Sequence, residues 1–397
     1  MSFMFQHILP FLIVAPPFFY GLISLYCARG FFSGRTSDAS FLPPVTILKP
    51  VKGVDRESFA NFASFCEQDH PRFQIVFAVA SPRDPAVAVI ESLISKYPDV
   101  DIELVVDDRV YGYNYKVCNL INAFPEAKHD ILLISDSDIR VDPGYLREVC
   151  ASFADPLVGL VTSLYRCRQT RGVPAALEAL GFSAEMVPNV MVALKLEGLS
   201  FALGASMAVR REVLEKIGGF RALVDYLADD YQLGNMIFRA GYKLKLSFLF
   251  VESVMKRESL SGMLARQVRW TRAMRFSRPV GYFASGITQQ VPMALLALFF
   301  SGFSASGWWA VLALALTRSI TACIYSRFFV RDNLLPRYLW LLPVRDFLAF
   351  VTWTFSFLGD RVEWRGNRFR LMPGGKIVKL GKERFQPDMC LPQIPRR

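Results

Sequence analysis

Three textures of hydrophobic and polar positions follow one another along the chain. From Ile8 to Ala28 no charge interrupts the apolar residues, giving about 20 in a row, the length that crosses a ~30 Å hydrocarbon core as a helix. From Val45 onward the runs shorten. Val45–Leu48, Gln74–Ala80, Ile102–Val106, Ile131–Ser135, Leu157–Leu164 and Leu203–Val209 are rich in β-branched residues and bounded by Pro, Gly or Asp, which predicts strands. Between them lie stretches of helical spacing. The clearest is Ala86–Tyr97, with Val87, Ile90, Leu93, Ile94 and Tyr97 on one face behind an Asp84-Pro85 start. Strands alternating with helices predict an α/β fold with a mixed, mostly parallel sheet, in which ligands bind at the carboxyl ends of the strands. The third texture begins at Pro279. No charge occurs before Arg318, and the apolar run continues to Val330. That predicts two spans, broken near Ser301-Gly302 and Ser306-Gly307. The block Tyr338–Leu358 contains Pro343 and the Arg345-Asp346 pair. Charges at mid-span are costly, so this piece reads as kinked, re-entrant or interfacial.

The resulting organisation is an N-terminal anchor (1–30), an α/β domain (40–278), a membrane region (279–359) and a basic tail (360–397). A cleaved signal peptide is the other reading of the first segment. Met1–His7 carries no Lys or Arg and no A-x-A site follows, which favours a retained anchor. Arg29, Arg35, Lys49 and Lys52 come after it, so the positive-inside rule places the α/β domain in the cytoplasm.

Composition supports the membrane class. Hydrophobic residues are 52% of the 397 and mean hydropathy is positive at +0.28. Lys and Arg exceed Asp and Glu by 46 to 35, a net charge of +11. In a chain this apolar, the excess points to membrane lipids or a phosphorylated substrate, with no nucleic acid as partner. Seven scattered cysteines without a C-x-x-C pair, and three isolated histidines, support neither a zinc site nor a disulfide framework. Any metal would be held by carboxylates.

Acidic residues at strand ends carry the candidate chemistry. Ile131–Ser135 runs straight into Asp136-Ser137-Asp138. Two carboxylates one residue apart beyond a buried strand suit Mn2+ or Mg2+, although a solvated Asp-rich turn has the same sequence. Asp229-Asp230 opens a helical stretch, either as an N-terminal charge pair or with one member as a general base whose pKa its neighbour lifts. Asp84 reads as a helix cap. Lys116, in Gly112–Asn119, could meet phosphate or sugar oxygens. Arg266, Arg269, Arg272, Arg275 and Arg278 recur every three residues. They spiral around a helix, some toward headgroups and others toward an anionic site.

In order, Asp84, Asp136-Ser-Asp138, Asp230 and Arg266-x-x-Arg269-Trp270 resemble the D, D, D, (Q/R)-x-x-R-W signature of lipid-directed and processive glycosyltransferases. More narrowly the chain resembles the ceramide glucosyltransferase family, glycosyltransferase family 21. The further motifs are Ile47-Leu-Lys-Pro50, Arg83-Asp-Pro-Ala86, Asn114–Leu120, Gly218-Gly-Phe220 and Trp364-Arg-Gly-x-Arg-x-Arg370. The resemblance implies a cytoplasmic, Rossmann-like GT-A fold and an inverting transfer from a UDP-sugar to a lipid hydroxyl. It implies Asp230 as base, Asp136 and Asp138 toward ribose and metal (Mn2+ or Mg2+), and donor contacts from Lys49, Asp84, Lys116, Arg266, Arg269 and Trp270. The implied donor is UDP-glucose or UDP-N-acetylglucosamine and the acceptor ceramide, a hopanoid or diacylglycerol. Gly159–Tyr165 and Leu227–Gly234 are similar to the hopanoid branch, which fits a bacterial inner membrane. A polysaccharide synthase shares the aspartates but needs more spans, and a non-catalytic membrane scaffold would not require them.

Overall fold

In the computed structural model, residues 7–34, 41–168, 170, 172–255 and 258–380 are described; Arg35 and Cys390 fall outside them. The strands are β1 (Val45–Pro50), β2 (Phe73–Val79), β3 (Asp101–Val106), β4 (Ile131–Ser135), β5 (Ile139–Arg140), β6 (Val158–Arg166), β7 (Ser206–Arg210), β8 (Lys243–Ser253), β9 (Arg361–Trp364), β10 (Asn367–Leu371) and β11 (Ile377–Lys379). The first eight form one sheet in the order β3-β2-β1-β4-β7-β6-β8-β5. Pairing is parallel from β3 through β4 and between β6 and β8, and antiparallel where β7 and β5 join. This is the mixed, mostly parallel sheet that the hydrophobic runs predict. β1 and β4 are buried along their whole length, as strands covered by helices on both faces must be.

One face of the sheet packs Phe62, Phe65, Ile90, Leu93 and Tyr145 from the helices Ser58–Cys66, Ala86–Lys96 and Tyr145–Ala151. The other packs Val117, Leu120, Val213, Leu233 and Ile237. The same second core contains Ala28 and Tyr325 from the membrane helices. Phe31 stacks on Phe248, and Phe32 on both Phe250 and Phe329. The membrane end is therefore built into the core of the α/β domain.

Among the described residues, Leu9–Ser33 and Ala305–Val330 are long and apolar enough to span, and Pro279–Thr288 with Gln290–Phe300 forms a pair bent by 55°. The reversal between the last two regions lies at Ser301–Ser304, where Gly302 and Phe303 have positive φ. A third long apolar helix, Val173–Glu197, is mostly packed inside the protein. It joins β6 to β7, neighbours in one sheet, so both its ends return to the same side.

Arg345 and Asp346 do not neutralise each other. Successive helical residues point about 100° apart, and each finds a partner on another helix: Arg345 on Glu185 at 2.6 Å, Asp346 on Arg318 at 2.6 Å. The described part of the basic C-terminal stretch, residues 360–380, packs against the rest of the protein. β9–β11 form a small antiparallel sheet whose Val362, Phe369, Leu371 and Ile377 bury against Leu227 and Ala273.

Candidate active site

The carboxyl ends of β1, β2 and β4 open on one side of the sheet, and the predicted residues gather there. Asp136-Ser-Asp138 leaves β4 in a turn fixed from three directions. The Asp136 N–H donates to the Ala205 carbonyl at 3.2 Å, and Val254 N–H donates to the Asp138 carbonyl at 3.0 Å. From below, Lys49 Nζ donates to the Asp136 carbonyl at 3.1 Å and lies 3.7 Å from the centre of the Phe65 ring. Lys49 is completely enclosed. Burial pushes its pKa down to about 7, although Asp136 and Asp138 oppose the shift. Lys49 thus supports the Asp-Ser-Asp turn from within the core, a place its position after an anchor does not suggest.

Lys116 connects the two acidic motifs. Its Nζ lies 2.6 Å from Asp136 Oδ1 and 3.6 Å from Asp229 Oδ2. Asn114 makes this possible: its Oδ1 caps the helix Tyr115–Ala123 by accepting from the Lys116 and Val117 N–H groups. Its Nδ2 donates to the Tyr226 carbonyl at 2.9 Å and to Asp229 Oδ1 at 3.1 Å. One side chain therefore sets both the helix carrying Lys116 and the loop carrying the acidic pair.

Asp230 stands in the first turn of the helix Asp229–Arg239, and its Oδ1 accepts the Tyr231 N–H at 2.8 Å. Burial, followed by the charge of Asp229, pushes its pKa up to about 6, with Lys116 pulling the other way. A carboxylate lifted toward neutrality is a better base and is still ionised at pH 7. Gly204 borders it: a Cβ there would lie 2.7 Å from Asp230 Oδ2. Gly204→Ala is expected to displace the carboxylate and lower kcat by roughly tenfold to a hundredfold, with little change in Tm. At Gly234 a Cβ would instead meet the Ala202 backbone nitrogen at 2.4 Å, so Gly234→Ala should destabilise the fold.

Asp84 makes separate contacts. Its carboxylate accepts Gly53 N–H at 3.0 Å and Ala86 N–H at 2.9 Å, tying the loop after β1 to the helix after β2. Asp107, which ends β3, is paired with Arg109.

The arginine helix, Leu260–Ser277, distributes its charges as the three-residue spacing predicts. Arg266 is held by Glu178 and by Glu258, so it anchors the helix to the buried Val173–Glu197 segment. Trp270 is exposed beneath the Arg266 guanidinium. Arg269 lies 5.8 Å from the Trp364 ring centre, on the small C-terminal sheet. Arg272 and Arg275 donate to the Arg361 and Gly359 carbonyls, and Arg278 pairs with Glu197. The five arginines serve several partners; Arg269 shares the Trp364 ring with Arg365, whose guanidinium feels Asp136 and Asp229.

No group of three or more His, Cys, Asp or Glu side chains forms a metal cage among the described residues. The donor set that Asp136 and Asp138 present fits a divalent cation of another kind. Mg2+ and similar ions are commonly held by one or two carboxylates, with water and substrate phosphates completing the shell.

A mixed, mostly parallel α/β sheet with acidic turns at its strand ends, packed on helices long and apolar enough to cross a membrane, is an architecture of the GT-A type. The chain belongs to glycosyl transferase family 21, whose profile matches residues 9–377. It is 26% identical over 348 residues to ceramide glucosyltransferase 1 of Caenorhabditis elegans, covering 85% of this chain and 73% of that protein. Ceramide glucosyltransferase 3 of the same organism is 26% identical over 365 residues, 90% of this chain and 79% of that protein. The fold is similar to that of a mannosyltransferase from Pyrobaculum calidifontis, solved in complex with GDP-Man and Mn2+. The TM-score is 0.53 at 19% identity, covering 87% of this chain and 96% of that one.

Proposed function

We propose that the protein transfers glucose from UDP-glucose to the primary hydroxyl of ceramide, with inversion at the sugar carbon and Asp230 as the base. The observation that carries the reading is the Asp136–Lys116–Asp229 bridge with Asp230 next in the chain. It brings a donor-side turn and an elevated carboxylate into one constellation at the strand ends. The names of the two nematode relatives support the choice of sugar and acceptor.

In this reading Asp230 takes the proton of the acceptor hydroxyl as its oxygen attacks the sugar. Asp136 and Asp138 would hold Mn2+ or Mg2+. The ion, when bound, offsets charge on the departing diphosphate. Lys116 keeps the acidic turns together, and Arg269 and Trp270 approach the donor from the basic helix. Arg266, held by two carboxylates, positions that helix, while Lys49 and Asp84 support the loops beneath the nucleotide. Basic residues after the first span support a cytoplasmic face for the domain, in a bacterium that of the inner membrane. Val173–Glu197 and the anchor, joined by a 2.5 Å hydrogen bond from Tyr20 to Asn189, form the side from which a lipid hydroxyl would enter.

UDP with Mn2+ is expected to raise the Tm of the detergent-solubilised protein, since ligand at 100 times Kd adds about 2.7 kcal/mol. Chelation should abolish the shift, and Asp138→Asn should reduce it strongly. A wild-type protein whose Tm ignores UDP and metal would contradict the reading and favour a non-catalytic scaffold.

A further inference from the structure

Among the cations of the C-terminal sheet, which the transfer reaction above does not use, Arg365 is set apart by its place in a tight turn. β9 and β10 are joined by a two-residue turn, Arg365-Gly366, with Trp364 paired to Asn367. Both turn residues have positive φ, 52° at Arg365 and 79° at Gly366. This is the geometry for which hairpins prefer Asn-Gly, because a residue with a long side chain is strained there. Arginine in that position is a local misfit, and strained backbone persists where the surrounding structure enforces it, often at functional sites.

The surroundings do enforce it. The small sheet is clamped to the loop that carries the acidic pair. Ile377 N–H donates to the Asp225 carbonyl at 2.7 Å, and Gln232 Nε2 donates to the Gly374 carbonyl at 2.7 Å. Tyr226 bridges to Lys376. On the other side, the Phe369 ring meets Tyr113, beside the helix that carries Lys116. Trp364 is then shared by two guanidiniums, Arg269 at 5.8 Å and Arg365 at 5.7 Å from the ring centre.

The electrostatics agree with this placement. Burial, then repulsion from Arg266 and Arg365, pushes the Arg269 pKa down to about 10. The Arg365 guanidinium is desolvated by the protein around it and feels the carboxylates of Asp136 and Asp229, yet solvent still reaches it. Arg269 and Arg365 share one indole, and an anion with several oxygens would relieve their repulsion.

We propose that Arg365 is a donor-binding residue that grips the diphosphate of the nucleotide sugar, paired with Arg269 across Trp364. The proposal rests on the donor reading above and gives a role to Arg365 of the Trp364-Arg-Gly motif, which that reading leaves unassigned. Planar guanidiniums suit bidentate contact with phosphate oxygens. The hairpin, docked on the loop that carries Asp229 and Asp230, thus completes the anion-binding half of the site.

The test uses full-length protein in detergent with Mn2+, comparing Arg365→Asn and Arg365→Lys with wild type. Binding of UDP and of uridine is measured by calorimetry, together with Tm. Asn suits the turn, so Arg365→Asn should keep or raise Tm. It should nonetheless weaken UDP by roughly tenfold to a hundredfold, the loss expected for a charge-assisted contact. Uridine, which has no phosphate, should bind both proteins equally, and Arg365→Lys should recover part of the UDP affinity. Wild-type UDP affinity in Arg365→Asn overturns the proposal alone. Equal loss of uridine and UDP overturns it in favour of a structural role. Failure of the wild type to bind UDP overturns both the proposal and the donor reading.

Discussion

Asp230→Asn is expected to bind UDP as tightly as wild type and to lose sugar transfer by about two to four orders of magnitude, the range for a general base. The substitution keeps the shape of the side chain and the acceptance of the Tyr231 N–H while removing the proton acceptor. It leaves Asp136 and Asp138 untouched. The elevated pKa gives two further signatures. Transfer by the wild type should fall as pH drops through about 6, because the base becomes protonated. Stability should move the other way. With the folded pKa above the ordinary carboxylate value, ionised Asp230 destabilises the fold above about pH 6, and the penalty disappears in acid. The Asn variant should therefore be as stable as wild type or more so at pH 7.5, with the difference vanishing near pH 4. An inactive variant that had also lost UDP binding would place Asp230 in donor binding instead.

Asp346→Leu is expected to destabilise the protein by about 3–5 kcal/mol, because it leaves a buried guanidinium without its partner. Arg318 sits within the span Ala305–Val330 and donates through Nε and Nη2 to both oxygens of Asp346, at 2.8 and 2.6 Å. Its Nη1 donates to the Ala184 carbonyl on the buried helix at 2.6 Å. Beside it, Arg345 joins Glu185 to Gln267 of the arginine helix. The two arginines thus bind the membrane helices, the buried helix and the arginine helix into one body. The double variant Arg318→Leu/Asp346→Leu removes both charges and should recover most of the loss. Denaturation of the solubilised protein measures this directly. A double variant no more stable than Asp346→Leu would show that the pair acts through its hydrogen-bond geometry and not as mutually compensating charges.

The sheet was legible because its strands are short apolar runs that end in turn residues. Ile131–Ser135 is β4 residue for residue, and β1, β2, β3, β6 and β7 overlap their predicted runs. Strand β8 is absent from the predicted runs although Lys243-Leu-Lys-Leu alternates, as an exposed-and-buried strand does. The C-terminal sheet has strands of three to five residues. Strands this short depend on docking, and nothing in 361–379 states that Leu227 and Ala273 will cover them. Charge positions were readable and their partners were not. Lys49 follows the anchor as a positive flank would, yet it lies inside β1 with its ammonium under the Asp136 carbonyl. Arg266 belongs to the motif, but Glu178 and Glu258 come from other segments. Likewise Arg345 and Asp346 are neighbours in sequence and pair with different helices. Sequence shows which side chains are available; tertiary packing decides which of them meet.

The central claim, sugar transfer from a UDP-sugar to a lipid hydroxyl, is tested most directly by product identification. Purified protein in detergent with Mn2+ would receive UDP-glucose, UDP-galactose or UDP-N-acetylglucosamine, with ceramide, diacylglycerol or bacteriohopanetetrol offered separately. Lipid mass spectrometry reads the outcome. The account predicts a gain of one hexose on ceramide with UDP-glucose, absent in Asp230→Asn. A sugar added to a hopanoid or to diacylglycerol would retain the chemistry and correct the acceptor. UDP release without any glycolipid would contradict lipid transfer, and no UDP release from any donor would contradict the account as a whole.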